Sequence, residues 1–359
     1  MAKNTIQILG MMSGTSLDGL DMALCEFRES GRNWSYHILK TGFIAYEDPM
    51  REQLNAAIRA SGAELLQLHQ GYGRWLGTRA HAFLKREGAQ PDAIASHGHT
   101  VHHRPELGFT FQLGDPQQIA LATGIKTVGD FRSLDVALGG EGAPLVPAGD
   151  HLLFGTYDFC LNLGGICNVS FEKNGKRKAF DIGIANMLLN HLCKPLDLPY
   201  DREGSLARKG RLNPALLKAL DGLPYYGKSY PKSTGYEWFR DAILPLLEQF
   251  PDRAENQLYT AVQHIAGQIS RQLHELSPTK GWSVLASGGG ALNSYLMEVL
   301  QERLGTDFTI ERPTKELISF KEALIFAFLG ALRLEGRTNV LSSVTGAKRD
   351  SCSGVVYIP

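Results

Sequence analysis

Apolar side chains cluster and alternate over Thr5–Met11 as they do in a buried strand, and a second apolar run, Leu20–Phe27, follows the polar, glycine-bearing stretch Ser13–Gly19. This pattern predicts strand, turn, strand. The same layout, though not the same letters, returns roughly 150 residues later: Asp158–Leu163, then Gly164-Gly165, then Ile166–Phe171 and a charged turn over Lys173–Lys178. Between the two units, helical spacing covers Met50–Ala60 and Ala63–Glu87, followed by a short strand Ala93–Ser96, a turn-rich stretch through Gly114, and a helix over Pro116–Thr123. The second half continues with helices over Asn186–Cys193, Pro214–Leu220, Glu237–Gln249 and Glu255–Leu276. A strand Ser283–Ala286, a glycine turn, a helix Ala291–Arg303 and a last helix Leu317–Glu335 complete it. Strands and helices mixed in this way indicate an α/β architecture. The chain of 359 residues exceeds one ordinary core, which implies two lobes and a cleft.

Charge narrows the partners. Lys plus Arg and Asp plus Glu each total 37, so no global basic field exists to hold nucleic acid or an anionic membrane, and a small-molecule partner fits better. Cys25, Cys160, Cys167, Cys193 and Cys352 are scattered and form no Cys-x-x-Cys pair, which suits a reducing cytoplasm. No signal-peptide pattern opens the chain and no apolar run approaches the roughly 18 residues of a membrane span, so a soluble protein is expected.

Several patterns could carry chemistry. Gly222-Leu223-Pro224-Tyr225-Tyr226-Gly227-Lys228-Ser229 satisfies the Walker A expression, but helical residues precede it and Pro231 follows, where a P-loop needs a strand before and a helix after. It is a decoy. The turns at Gly14, at Gly164-Gly165 and at Ser287-Gly288-Gly289-Gly290 could bring backbone N–H groups close to phosphate oxygens, with hydroxyls at Ser13, Thr15 and Ser16 as further donors. Asp18, Asp21, Asp130, Asp135 and Asp181 stand apart from charge runs. Asp181 is the best candidate for catalysis, because Lys178–Phe180 reads as a strand end and Gly183–Leu189 as an opening helix; helix capping would explain the same carboxylate. The run His97–Pro105 suits sugar hydroxyls better than a metal, and the aromatic set Tyr225, Tyr226, Tyr230, Tyr236 and Trp238 reads as ordinary packing.

The blocks Met12–Asp21, Gly129–Arg132, Gly139–Pro147, Asn162–Asn168, Pro231–Gly235, Gly288–Asn293 and Val344–Ala347 resemble, in this order, the signatures of the anhydro-N-acetylmuramic acid kinases. The resemblance covers almost the whole length. It implies a two-lobed actin/hexokinase/Hsp70-like (ribonuclease H-like) fold with a central nucleotide cleft, the first lobe spanning about residues 1–130 plus 340–359 and the second about 131–339. It also implies ATP with Mg2+ held through phosphates and water rather than by a dedicated protein site, and hydrolytic opening of a 1,6-anhydro amino sugar coupled to phosphorylation of O6.

By the same resemblance Asp181 is the catalytic base. Gly14, Thr15, Ser16, Leu17, Asp18, Gly19, Leu20, Asp21, Gly164, Gly165, Gly288, Gly289 and Gly290 bind nucleotide, and Thr100, Asp130, Arg132, Asn186 and Glu322 contact the sugar. Arg132 would hold the lactyl carboxylate as a bidentate pair. A cytoplasmic homodimer is the implied assembly. The chain departs from the family pattern at Ile182, Ile184, Ala185 and Asn190, and also at His99, Glu141 and Arg202-Glu203. The rival readings are a kinase of the same fold for another sugar or sugar acid, and a nucleotide-dependent binding protein without catalysis.

Overall fold

The computed structural model of the protein describes residues 5–14, 16–31, 33–277 and 281–359. Its strands are β1 (Thr5–Ser13), β2 (Gly19–Ser30), β3 (Asn33–Ala45), β4 (Ala93–Ser96), β5 (His99–Arg104), β6 (Phe109–Leu113), β7 (Thr127–Gly129), β8 (Phe159–Leu163), β9 (Ile166–Lys173), β10 (Lys176–Ile184), β11 (Trp282–Ser287), β12 (Phe308–Glu311) and β13 (Val355–Tyr357). The chain divides into two compact units, Met1–Gly155 with Phe320–Pro359, and Thr156–Ser319.

Each unit is built on its own mixed sheet, and the two sheets repeat one topology. In the first, the order is β13-β7-β4-β1-β2-β3; in the second it is β10-β9-β8-β11-β12. The three leading strands of each unit form an antiparallel meander, and the first of them also pairs in parallel with a later strand, β4 or β11. A further parallel strand, β7 or β12, follows in both. This duplicated α/β arrangement is the ribonuclease H-like, actin/hexokinase/Hsp70-like topology that the resemblance implied.

Local signals explain the main helices. Gly62–Glu87 starts at a capping box, Ser61 accepting from the Glu64 N–H while the Glu64 side chain accepts from the Ser61 N–H, and it ends at left-handed Gly88. It covers the first sheet through Tyr72, Leu76, Ala80, Phe83 and Leu84. In the second unit Ala254–Leu276 buries Leu258, Ala261, Val262, Ile265, Ile269 and Leu273, the stripe that a 3.6-residue period lays along one face.

Some elements differ from the expectation. The turn-rich stretch before Gly114 contains the hairpin β5–β6. The helix expected over Glu237–Gln249 holds a π-helical turn at Phe239–Ile243, where Pro245 has no N–H to offer the Asp241 carbonyl. Asp181 is not at a strand end: β10 runs on to Ile184 with a bulge between Asp181 and Gly183, and the helix begins only at Asn186. The unit boundaries fall near 155 and 320, against expected junctions near 130 and 340. The helix Val146–Leu153 explains the first shift, for its end packs Phe154 edge-on against Tyr36 and its Asp150 pairs with Lys321 at 2.8 Å.

Candidate functional site

In the first unit the β1–β2 turn is held by a directed chain of buried hydrogen bonds. The Tyr46 hydroxyl donates to Ser13 Oγ at 2.7 Å, so the 2.5 Å contact between Tyr46 and Tyr72 requires Tyr72 to donate. Ser13 Oγ lies 3.3 Å from His99 Nδ1. Burial pushes the His99 pKa down to about 4, and the neutral ring accepts from Ser13 at Nδ1. The turn itself places Leu17 in the left-handed region, φ 59°, with its N–H on the Gly14 carbonyl at 3.3 Å. Ser16 and Asp18 are exposed. Thr15 lies outside the described residues. Gly19, Leu20 and Asp21 belong to β2 rather than to the turn, and Leu20 is a core side chain, so only its main chain could face a ligand.

Three charged groups of this unit influence one another. Asp21 is half-buried, and its carboxyl is raised to about 7 by burial, then by the charges of Glu322 and Asp18. Protein atoms around Glu322 also raise its carboxyl although water reaches the side chain, while Arg132 and Lys321 pull it down. Arg132 is lowered to about 10 by burial against the pull of Glu322 and Asp135. Its Nε and one Nη converge on His97 Nε2 at 3.0 and 2.9 Å, and the other Nη donates to the Gly142 carbonyl at 2.6 Å. His97 donates from Nδ1 to its neighbour's carbonyl, Gly98, at 2.9 Å, and burial keeps the ring neutral as an acceptor for Arg132. Three of the five guanidinium N–H groups are thus committed.

Asp130 adopts φ 54° and accepts from the Ser133 hydroxyl at 2.5 Å, which orients the segment leading to Arg132. Thr100 lies on β5 with its hydroxyl 3.5 Å from Gln112 Nε2, and no described contact joins it to Arg132, Asp21 or Glu322.

The second unit brings together Gly164, Gly165, Gly288, Gly289, Gly290 and Asn186. The carbonyls of Gly164 and Gly165 accept the N–H groups of Ala185, Asn186 and Met187, so the opening amides of the helix Asn186–Cys193 are spent on the β8–β9 turn. Asn186 donates from Nδ2 to Leu163 O at 2.9 Å, and a Cβ on Gly290 would meet Leu163 Cβ at 2.7 Å and Asn186 Oδ1 at 3.0 Å. Gly288 has φ 77° and would bring a Cβ within 2.5 Å of Asn162 Oδ1. Packing of turn on turn therefore already requires glycine at 288 and 290, without any ligand. Gly165 differs, since a Cβ there would meet only the Met187 side chain, at 3.7 Å and beyond. Among the described residues, the N–H groups of Gly164 and Gly165 donate to no other backbone group outside the regular elements. Such a pair of turns, rich in main-chain donors and poor in side chains, fits an anionic phosphate.

Asp181 is half-buried on β10. Its Oδ2 accepts from Ser233 Oγ at 2.9 Å and from the Thr234 N–H at 3.0 Å. Its main chain donates to the Lys232 carbonyl at 3.1 Å and accepts from the Tyr225 hydroxyl at 2.8 Å. Burial raises the carboxyl, and the Thr234 and Ser233 donors pull it back. Among the described residues Oδ1 has no hydrogen-bond partner. Helix capping does not account for Asp181, since its partners come from the 225–234 segment. Sequence reasoning did not pick out those partners. The Pro231–Gly235 block was the available signal for Ser233 and Thr234; Tyr225, read as packing, is half packing and half hydrogen bond.

Four departures from the family pattern follow Asp181 along the chain, the first of them its immediate neighbour Ile182. Ile182, Ile184 and Ala185 are core residues and Asn190 is exposed. The Walker-like run contains a short 3-10 turn, Pro224–Gly227, and no helix opens after Ser229 before Tyr236. Among the described residues no group of three His, Cys, Asp or Glu side chains is arranged to hold a metal, and no helix is long and apolar enough to cross a membrane.

A family model described as anhydro-N-acetylmuramic acid kinase matches residues 6–359. The chain is similar to proteins of that description from Xanthomonas oryzae pv. oryzae (37% identical, 99% of this chain and 98% of the relative) and Haemophilus influenzae (35%, 97% and 97%). The one from Vibrio cholerae is 36% identical over the full length of both. Among solved structures, the activator of the 2-hydroxyisocaproyl-CoA dehydratase from Clostridium difficile with bound ADPNP aligns over 92% of this chain and 97% of its own, at TM-score 0.47 and 11% identity.

Proposed function

The chain belongs to the anhydro-N-acetylmuramic acid kinase family, and we propose that it opens the 1,6-anhydro ring of 1,6-anhydro-N-acetylmuramic acid with water and phosphorylates O6. The products are N-acetylmuramic acid 6-phosphate and ADP, as cell-wall recycling requires. One observation carries the reading: Asp181 has one oxygen fixed by two donors, the other uncommitted, and a carboxyl raised by burial. That is the state of a general base whose geometry is set before the proton arrives.

In the reaction, Asp181 Oδ1 takes a proton from water as the water oxygen bonds to the anomeric carbon. The bond from that carbon to O6 breaks, and O6 acquires the phosphoryl group. ATP with Mg2+ supplies that group and the charge compensation that its transfer needs. The Gly164-Gly165 and Gly288–Gly290 turns hold phosphate oxygens through main-chain N–H groups, and the Gly14–Asp21 segment contributes further nucleotide contacts. Arg132, with two N–H groups uncommitted, takes the lactyl carboxylate, while Asp130 and Glu322 take sugar hydroxyls. Thr100 and Asn186 are weaker sugar contacts, Asn186 because its amide already serves Leu163. The enzyme works in the cytoplasm as a homodimer.

Replacing Asp181 with Asn tests the reading. ADP release driven by the anhydro sugar should fall by about 100-fold or more, the usual worth of a general base, while ATP affinity stays near that of the wild type. Wild-type turnover in D181N would remove Asp181 from the mechanism.

A further inference from the structure

We infer that Lys232 is a positioning residue for Asp181, its ammonium clamped between aromatic faces so that the next two residues stay docked on one oxygen of that carboxylate. The inference rests on the reading of Asp181 as the base.

Lys232 is 8% exposed and its Nζ is buried without a hydrogen-bond partner among the described residues. A bare buried ammonium is unfavourable, so something must offset its desolvation. Two aromatic faces do. Nζ lies 5.1 Å from the Tyr225 ring centre and 5.7 Å from that of Phe180, both within cation–π range. Tyr230 stacks on Phe180 at 5.3 Å with 13° between planes, which extends the wall.

Both rings that face the ammonium are tied to the Asp181 main chain. Phe180 directly precedes Asp181 on β10, and the Tyr225 hydroxyl donates to the Asp181 carbonyl at 2.8 Å. The Lys232 carbonyl accepts the Asp181 N–H at 3.1 Å. Ser233 and Thr234 then donate to Oδ2 at 2.9 and 3.0 Å. Lys232 therefore holds the strand through its own carbonyl on the Asp181 N–H and through its ammonium on the rings of Phe180 and of Tyr225, whose hydroxyl holds the Asp181 carbonyl. A residue serving only to fill space here would need neither charge nor aromatic walls, and methionine would serve as well.

The pH–rate profile reads this clamp. The groups around Asp181 are Cys167 on β9, Tyr225, Ser233 and Thr234; those around Lys232 are Arg271 and Glu275 of the helix Ala254–Leu276. Burial pushes Cys167 and Tyr225 far up, so neither titrates on the acidic side. Loss of the Ser233 and Thr234 donors leaves burial unopposed and raises the Asp181 carboxyl further.

With the full chain, ATP and the anhydro sugar, K232M should move the acidic limb of kcat up by about half to one pH unit, with KM for ATP within about twofold. K232R, which restores a cation that stacks on rings, should return the limb to its wild-type position. S233A should shift the limb in the same direction, and the K232M/S233A double variant should add less than the sum of the two. An unmoved limb in K232M, or a K232R limb displaced as far as that of K232M, overturns the inference. Should K232M fail to fold, F180L removes one wall while keeping the ammonium, and an unmoved limb in that variant overturns it equally. The D181N control separates the two failures: wild-type turnover there defeats the reading of Asp181, whereas inactive D181N with an unmoved K232M limb defeats only the role of Lys232.

Discussion

The chain of hydroxyls behind the Gly14 turn makes an ordered prediction, because each proton in it has one direction. Tyr72 donates to Tyr46, Tyr46 to Ser13, and Ser13 to His99, with all four side chains buried. Tyr46→Phe deletes two of these bonds and leaves the Tyr72 hydroxyl without its acceptor. At about 1 kcal/mol for each neutral bond, plus about 1 kcal/mol for the orphaned hydroxyl, the cost is about 3 kcal/mol. Tyr72→Phe deletes only the terminal bond, because Tyr46 still donates to Ser13, and costs about 1 kcal/mol. In the double variant the orphan is gone, so its cost should fall to about 2 kcal/mol, below that of Tyr46→Phe alone, a coupling of about 2 kcal/mol. Urea unfolding followed by tryptophan fluorescence gives the four stabilities of the cycle. For a unit of this size the single changes correspond to melting shifts of roughly 6–12 °C and 2–4 °C. Equal costs for the two single variants, or strict additivity in the double, would refute the proposed direction of the chain.

Three further expectations concern one carboxylate and two glycines. His99 is held down to about 4, so its contribution to stability is complete above pH 6.5 and lost as pH falls toward 4; Asp21 is held up to about 7, so its contribution is complete below pH 3.8 and lost as pH rises through 7. The two slopes oppose each other between pH 4 and 6.5, and D21N should therefore lose melting temperature on acidification more steeply than the wild type; equal slopes in calorimetry would contradict the Asp21 shift. Gly288→Ala meets a left-handed φ of 77° and the Asn162 and Leu163 contacts, and should cost about 2 kcal/mol or more. Gly227→Ala, with no atom within 4 Å of the new Cβ and outside any P-loop, should leave stability within about 0.5 kcal/mol and turnover unchanged; a large loss of ATP turnover in G227A would revive the Walker reading.

What was legible in the sequence divides by the range of the interaction. Strand, glycine turn and strand at residues 5–27 and again at 158–171 announced themselves because burial on a sheet writes itself into adjacent letters. The edge strand β3 did not, since few of its positions are buried and its alternation is weak. β12, four residues long at the other sheet's edge, had too few letters to form a pattern. Asp181 was identifiable as a candidate, but its setting was not: a strand that runs through it with a bulge looks, letter by letter, like a strand that stops. Pairings such as Ser13 with His99, 86 residues apart, or Ser233 with Asp181, 52 apart, leave no periodic trace.

The triple glycine at 288–290 shows how a correct location can carry an incomplete reason. A close backbone approach was expected there, and one exists, but for Gly288 and Gly290 the approaching groups are Asn162, Leu163 and Asn186 of the same unit. The β8–β9 turn and the β11 turn are thus braced against each other before any ligand binds, which fixes the N–H groups of Gly164 and Gly165 at no cost to binding. The same logic governs the β1–β2 turn, where glycine packing is replaced by the Tyr72–Tyr46–Ser13–His99 chain. Equivalent turns of a duplicated topology have reached rigidity by different means, one by steric contact and the other by buried hydrogen bonds. That is why the two units share a layout without sharing letters, and why substitutions behind the turns should act on stability first and on nucleotide affinity through it.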